Sequence, residues 1–130
     1  MRCIQWERVS YWCSCCLLFL AMGCGKSTPY WTEQAKVDDP ARRLQAIHVL
    51  QEKGNEGTFV IPVLIEALQD KNTYVRRDAA KALGRFGTEA KEAVQPLVAR
   101  LRDEEPSVRK AAAQSLKQID PSAATKVVVR

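Results

Sequence analysis

Residues 70–84 read DKNTYVRRDAAKALG and residues 103–117 read DEEPSVRKAAAQSLK, two stretches standing 33 positions apart. Asp70 meets Asp103, Val75 meets Val108, Arg76 meets Arg109, and Arg77 meets Lys110. Ala79, Ala80 and Leu83 fall on Ala112, Ala113 and Leu116. Working outward, Ile61, Leu64, Ile65 and Leu68 meet Val94, Leu97, Val98 and Leu101, and Phe86 meets Ile119. One period earlier, Arg43, Ala46, Leu50 and Gly54 occupy the places of Arg76, Ala79, Leu83 and Gly87. An ungapped match at one fixed period marks a tandem array of a single supersecondary unit.

Each unit reads as two helices. Ile61, Leu64, Ile65 and Leu68 follow the i, i+3, i+4, i+7 stripe of an amphipathic helix, as do Val94, Leu97, Val98 and Leu101. The second helix uses Val75, Ala79, Ala80, Leu83 and Phe86, with the alanines permitting close helix approach. Asp39-Pro40 and Glu105-Pro106 put proline at a first helical position, and Thr73 and Thr88 are candidate N-caps. Gly54 and Gly87 suit helix exits, and Asp120-Pro121 stops the last helix. The pattern predicts helices near 40–53, 58–69, 73–86, 89–102 and 106–119. Only the tail alternates with period two, so the expected class is all-α: a short α-solenoid of antiparallel helix pairs, about two and a half repeats long.

The motifs Asp70-x4-Val75-Arg76-x2-Ala79-Ala80-x2-Leu83-Gly84 and Asp103-x4-Val108-Arg109-x2-Ala112-Ala113-x2-Leu116 resemble bacterial HEAT repeats. They are similar to the type found in phycobilisome lyase subunits, over about residues 38–120. The resemblance implies a scaffold that binds other macromolecules, with a catalytic or chaperone-like minority among such proteins. It also bears on the arginines. At about 100° per residue from Val75, Arg76 falls inside the apolar arc of its helix, where a cation needs a partner. In HEAT repeats the aspartate of the turn and the arginine of the second helix form a ladder between units. Asp70, Arg76, Asp103 and Arg109 match those positions, and so does Arg43 with a displaced Asp38. The resemblance therefore assigns these residues a structural role.

Arg77, Lys81 and Arg85 lie opposite the packing face, and Lys110 and Lys117 share a similar outward face in the next unit. By the same resemblance the second helices line the concave side, where these five cations form a candidate partner-binding ridge. The alternative is a solvated helix face. Gln114, Gln118 and Glu52 interrupt the ridge and no aromatic on it could stack a base, which argues against nucleic acid.

The 130 residues carry 20 Lys+Arg against 15 Asp+Glu, a formal charge of +5, with 27% charged and 46% hydrophobic residues. That balance is globular, not disordered. All five cysteines (Cys3, Cys13, Cys15, Cys16 and Cys24) fall in the first 24 residues, which excludes a disulfide-stapled domain. Arg2 and Arg8 precede an uncharged stretch from Val9 to Gly25, the pattern of a signal peptide, diluted and short for a spanning helix. Leu20-Ala21-Met22-Gly23-Cys24 resembles the lipobox of bacterial lipoproteins, which implies cleavage before Cys24 and lipidation of its thiol. Ala21 and Met22 depart from that pattern, and Ala21-Met22-Gly23 also fits an ordinary cleavage site or an uncleaved anchor. The expected organisation is signal peptide 1–23, tether 24–38 (with room for a degenerate helix from Trp31), repeat domain 39–120 and tail 121–130. The tail either folds over the final repeat or stays loose.

Two sharper motifs fail. Gly25-Lys26-Ser27-Thr28 ends like a phosphate-binding loop, but the required earlier glycine is replaced by Leu20. Cys13-x-Cys15-Cys16 sits in an apolar run with no histidine or acidic ligand near it. His48, the one histidine, aligns with the surface positions Lys81 and Gln114 and has no nucleophile at recognisable spacing. No catalytic set, cofactor or metal is expected. The sequence thus points to an exported, lipid-anchored scaffold for a protein partner with an acidic surface, held on the outer side of the bacterial cytoplasmic membrane or in the outer membrane. Secretion into the periplasm or medium is the alternative location. A lyase-like or chaperone-type subunit and an anion-binding module at the membrane surface are the competing functions.

Overall fold

The computed structural model describes residues 27–53 and 57–128, with side chains over 27–53 and 59–125. The described residues form α1 (Thr28–Gln34), α2 (Pro40–Leu50), α3 (Gly57–Ala67), α4 (Thr73–Phe86), a 3-10 segment (Gly87–Ala93), α5 (Val94–Arg100), α6 (Pro106–Ile119) and α7 (Pro121–Val128). No strand occurs among them. Helices pair as α1 with α2, α3 with α4, and α5 with α6; α2, α4 and α6 then stand side by side, α4 against α6 most extensively. The array is a helical solenoid in two layers.

Local chemistry explains the helix starts. Asp39 caps α2 by accepting from the Ala41 N–H at 3.0 Å, with Pro40 at the first position. At α4 the cap is Asn72 and not Thr73: its side-chain oxygen accepts from Tyr74 N–H at 2.9 Å and Val75 N–H at 3.4 Å. Thr88 caps nothing, because the 3-10 segment follows Phe86 without a side-chain cap. Gly87 leaves α4 at φ 54°, a conformation glycine adopts without Cβ strain. Gly54 lies outside the described residues.

The helix expected over 89–102 is broken. Ala90 departs from helical geometry at φ −88°, ψ 31°, and regular helix begins only at Val94. Pro96 suits this late start: in the first turn of α5 its missing N–H would have no partner within the helix. Two more helices stand where the sequence suggested less. Within the tether, α1 starts at Thr28, buries Thr28 with Ala35 buried at its C-cap, and packs on α2. Within the tail, Asp120-Pro121 ends α6 but also starts α7, with the Asp120 carboxylate accepting from Ser122 N–H at 2.9 Å. Helix α7 packs against α6.

The equivalent positions are buried as the repeat demands. Leu50, Leu83 and Leu116 are at most 1% exposed, and Leu64, Leu68 and Leu97 fill the first-helix layer. Each such leucine contributes about 1.5–3 kcal/mol by leaving water. The alanines let α4 and α6 come very close. Ser115 Oγ donates to the Ala80 carbonyl at 2.6 Å, and a Cβ added to Gly84 would lie 3.1 Å from Ser115 Cα.

Candidate functional site

Two sets of charged side chains organise the solenoid, one between the units and one across the outward face of the second helices.

The first set is a ladder with a fixed register. Arg76, in the first turn of α4, donates from Nε and Nη2 to the two carboxylate oxygens of Asp103, both at 2.9 Å. Its Nη1 donates to the carbonyls of Asp70 at 2.9 Å and Lys71 at 3.2 Å. Arg43 repeats this on α2: Nη1 donates to Val37 and Asp38 carbonyls at 2.7 and 2.8 Å, and Nη2 to Asp70 at 3.0 Å. Its Nε lies 2.6 Å from Asp70 Oδ2, an ion pair off the line of a hydrogen bond. The carboxylate that meets Arg43 is thus Asp70 of the next unit. The displaced Asp38 contributes only its carbonyl, and its carboxylate faces solvent 3.8 Å from Lys71. Both pairs span 27 residues, from 43 to 70 and from 76 to 103.

Asp103 is the most enclosed member, its side chain only 3% exposed. It also accepts from the Glu105 N–H at 3.1 Å, and Arg100 stands 3.4 Å away. Its hydrogen bond with Arg76, opposed by burial and aided by the Glu105 amide and the nearby cations, holds its carboxyl below the usual range. The same hydrogen bond raises Arg76. Arg109 keeps half of the pattern: Nη1 donates to Asp103 and Glu104 carbonyls, both at 2.8 Å. Among the described residues no carboxylate meets it.

The second set is the ridge, which divides in two. Arg77 donates from Nε to Asp78 at 2.7 Å, with its guanidinium 5.2 Å from the centre of the Tyr74 ring. The bond to Asp78 raises Arg77 against the cost of burial. Lys81 lies 3.9 Å from the same carboxylate, and His48 of α2 approaches it at 3.5 Å with Nε2. His48 remains largely exposed, its Nδ1 3.2 Å from Gln51 Nε2. Arg85, Lys110 and Lys117 are exposed. None of the three has an acidic partner among the described residues.

Asp78 is the site residue that sequence reasoning missed. It is a buried carboxylate that gathers Arg77 and Lys81 of its own helix and the His48 ring of α2. Its places in the other units hold Gln45 and Ala111, so the repeat carried no signal for it. The available signal was local, a lone acid between Arg77 and Lys81.

Among the described residues no cluster of His, Cys, Asp and Glu could hold a metal ion, and no helix is long and apolar enough to cross a membrane. The signal segment and Cys24 lie outside the described residues. An open groove of about 570 Å³ lies between the turn that follows α1 and the end of α3, its walls mixing Pro62, Val63 and Ile65 with Lys36, Glu66 and Lys71.

The family model for HEAT repeats matches residues 28–117. No curated protein matches. Among solved structures, the chain is similar to one in the complex of CpcE and CpcF of phycocyanin lyase from Nostoc sp. PCC7120. The identity is 27% and the TM-score 0.72, covering 82% of this chain. The chain spans 42% of the length of that relative.

Proposed function

The chain belongs to the HEAT-repeat family, and from that premise we propose that it is a non-catalytic scaffold that binds a protein partner along the second helices. The observation that carries this is the ridge as folded: Arg85 and Lys110 are exposed on neighbouring helices without acidic partners among the described residues. Arg77 and Lys81 are committed to Asp78, so they frame the surface more than they offer free charge. A partner with an acidic surface would be steered to it, with the charge acting mainly on the association rate. Tyr74, 59% exposed beside Arg77, adds an apolar contact at one edge. The proposal includes export and a lipid anchor at Cys24, supported by the lipobox-like residues 20–24.

The test is a capture from membranes with the full chain, followed by kinetics against the recovered protein. Arg85→Glu with Lys110→Glu should slow association and flatten its salt dependence. Unchanged kinetics in a folded double variant would remove the ridge as the docking face. A lyase-like subunit is the second reading, favoured by the 27% identity to a chain of a phycocyanin lyase complex. Recovery of phycocyanin, or of a companion lyase subunit, would select it.

A further inference from the structure

Asp78 is a charge that the solenoid itself does not call for. Gln45 and Ala111 fill the same place in the neighbouring units, whose second helices pack without an acid there. The Asp78 side chain is only 10% exposed, and a carboxylate so placed costs stability unless donors meet it. A buried polar group of this kind fixes the side chains that join it. We infer that Asp78 orients Arg77 as a gripping residue, the Nη1–Nη2 edge of its guanidinium receiving one Asp or Glu carboxylate of an acidic partner segment. This rests on partner binding along the second helices and names the residue that fixes the contact.

Residues one apart on a helix do not face each other, so Arg77 folds back along α4 to reach Asp78. Its Nε donates to Oδ1 at 2.7 Å. The Tyr74 ring lies against the guanidinium, 5.2 Å from its own centre to Arg77 Cζ. Asp78 thus takes one edge of the guanidinium and Tyr74 one face. The Nη1–Nη2 edge meets no acceptor among the described residues, and the side chain is 29% exposed. Bidentate recognition of a carboxylate uses such a pair of parallel N–H groups. With the side chain already held at two points, little further freedom is lost when the carboxylate arrives.

The surroundings suit a single negative charge. Lys81 Nζ lies 3.9 Å from Asp78, so two cations stand against one acid. Both Asp78 oxygens already face donors, Oδ1 the cations and Oδ2 the His48 ring at 3.5 Å. A phosphate dianion would bring twice the charge of a carboxylate close to Asp78, and the single positive charge left over does not balance it. Tyr74, 59% exposed, offers apolar surface to the stem of an incoming acidic side chain. Lys110 holds the place of Arg77 on α6 and gives a second cation one helix away. The roles then separate. Free cations such as Arg85 and Lys110 attract at a distance and act on encounter, whereas a fixed fork acts at contact and slows release.

Titration of the full chain in non-ionic detergent with a blocked hexaglutamate peptide tests this, with blocked hexaglutamine as the neutral control. The readout is proton–nitrogen NMR of the arginine Nε–H groups. The Arg77 signal, identified by its loss in Arg77→Lys, should shift with hexaglutamate and stay still with hexaglutamine. Arg77→Lys keeps the charge but loses the fork, and should bind hexaglutamate about tenfold more weakly. Asp78→Ala copies the next unit, where Ala111 stands in this place. It makes the face more positive, so attraction by charge alone predicts tighter binding; loss of the oriented fork predicts binding weaker by about fivefold. Asp78→Asn has the same net charge as Asp78→Ala but keeps an acceptor for Nε, and should recover part of that loss. Circular dichroism checks that each variant is folded. An Arg77 signal that hexaglutamate leaves unmoved, or Asp78→Ala binding as tightly as the wild type or tighter, would overturn the inference. If Arg85→Glu with Lys110→Glu still weakened binding in that case, the ridge would stand without the grip. Equal binding of the two peptides would remove both.

Discussion

Gly84→Ala sets the local preference of the chain against its packing. In the last turn of α4, alanine should help the helix by about 1 kcal/mol relative to glycine. The tertiary contact reverses that gain. The added Cβ would fall 2.7 Å from Ser115 Oγ and 3.1 Å from Ser115 Cα. The closest atom, Gln118 Oε1, ends an exposed flexible side chain and can swing away cheaply. Ser115 has no such freedom: it is 2% exposed, and its hydroxyl is committed to the Ala80 carbonyl. Displacing the hydroxyl costs about 1–3 kcal/mol for an unsatisfied buried group. Moving the α6 backbone by a few tenths of an ångström adds about 1–3 kcal/mol of overpacking strain. The net expectation is a loss of about 1–5 kcal/mol. Urea unfolding followed by circular dichroism reads this directly, and a loss of 1 kcal/mol should lower Tm by about 4–8 °C in a domain of this size. In a double-mutant cycle, adding Ser115→Ala should recover part of the cost, leaving only the backbone contact. A neutral or stabilising Gly84→Ala would refute the close α4–α6 approach on which the stacking depends.

Asp103→Asn should weaken the fold near neutral pH, where its ionised form is paired. Its carboxyl is held below the unfolded value of about 3.9, so this stabilisation is full above about pH 4 and lost as pH falls through the folded value. The stability gap between wild type and variant should therefore narrow on acidification; a gap independent of pH would contradict the pairing with Arg76. Leu83→Ala or Leu116→Ala should cost about 2–5 kcal/mol in the same unfolding assay, whereas exposed Gln114→Ala should stay within about 0.5 kcal/mol. Ala112→Glu, at a fully buried position, should cost about 3 kcal/mol or more, and a neutral result would be incompatible with the helix contact there. Metabolic labelling with a palmitate analogue should mark the wild type and spare Cys24→Ser; equal labelling of both would remove the lipid anchor from the proposal.

Much of this molecule is legible in its sequence because a solenoid is built from local contacts. The period of 33 relates Leu50, Leu83 and Leu116, and all three are buried. Asp39-Pro40 carries its own capping chemistry within three residues, so that helix start needs no tertiary help. The caps at Thr73 and Thr88 misled because several residues near each start could serve, and backbone geometry chose Asn72 in one case and none in the other.

What only the tertiary structure decided concerns groups that meet across units or at the ends of the array. Helix propensity is weak in the short segments that became α1 and α7, and packing on α2 and α6 holds them. Arg43 had two nearby aspartates by sequence, Asp38 in its own turn and Asp70 beyond; stacking of the units brought Asp70 to it and left Asp38 in solvent. The five cations of the ridge looked alike as a helical face, yet the buried Asp78 draws in Arg77 and Lys81 and leaves Arg85, Lys110 and Lys117 free of acidic partners among the described residues. Periodicity specifies which face of a helix turns inward. Which charge another charge meets depends on the distance between helices, and that is settled only when they pack.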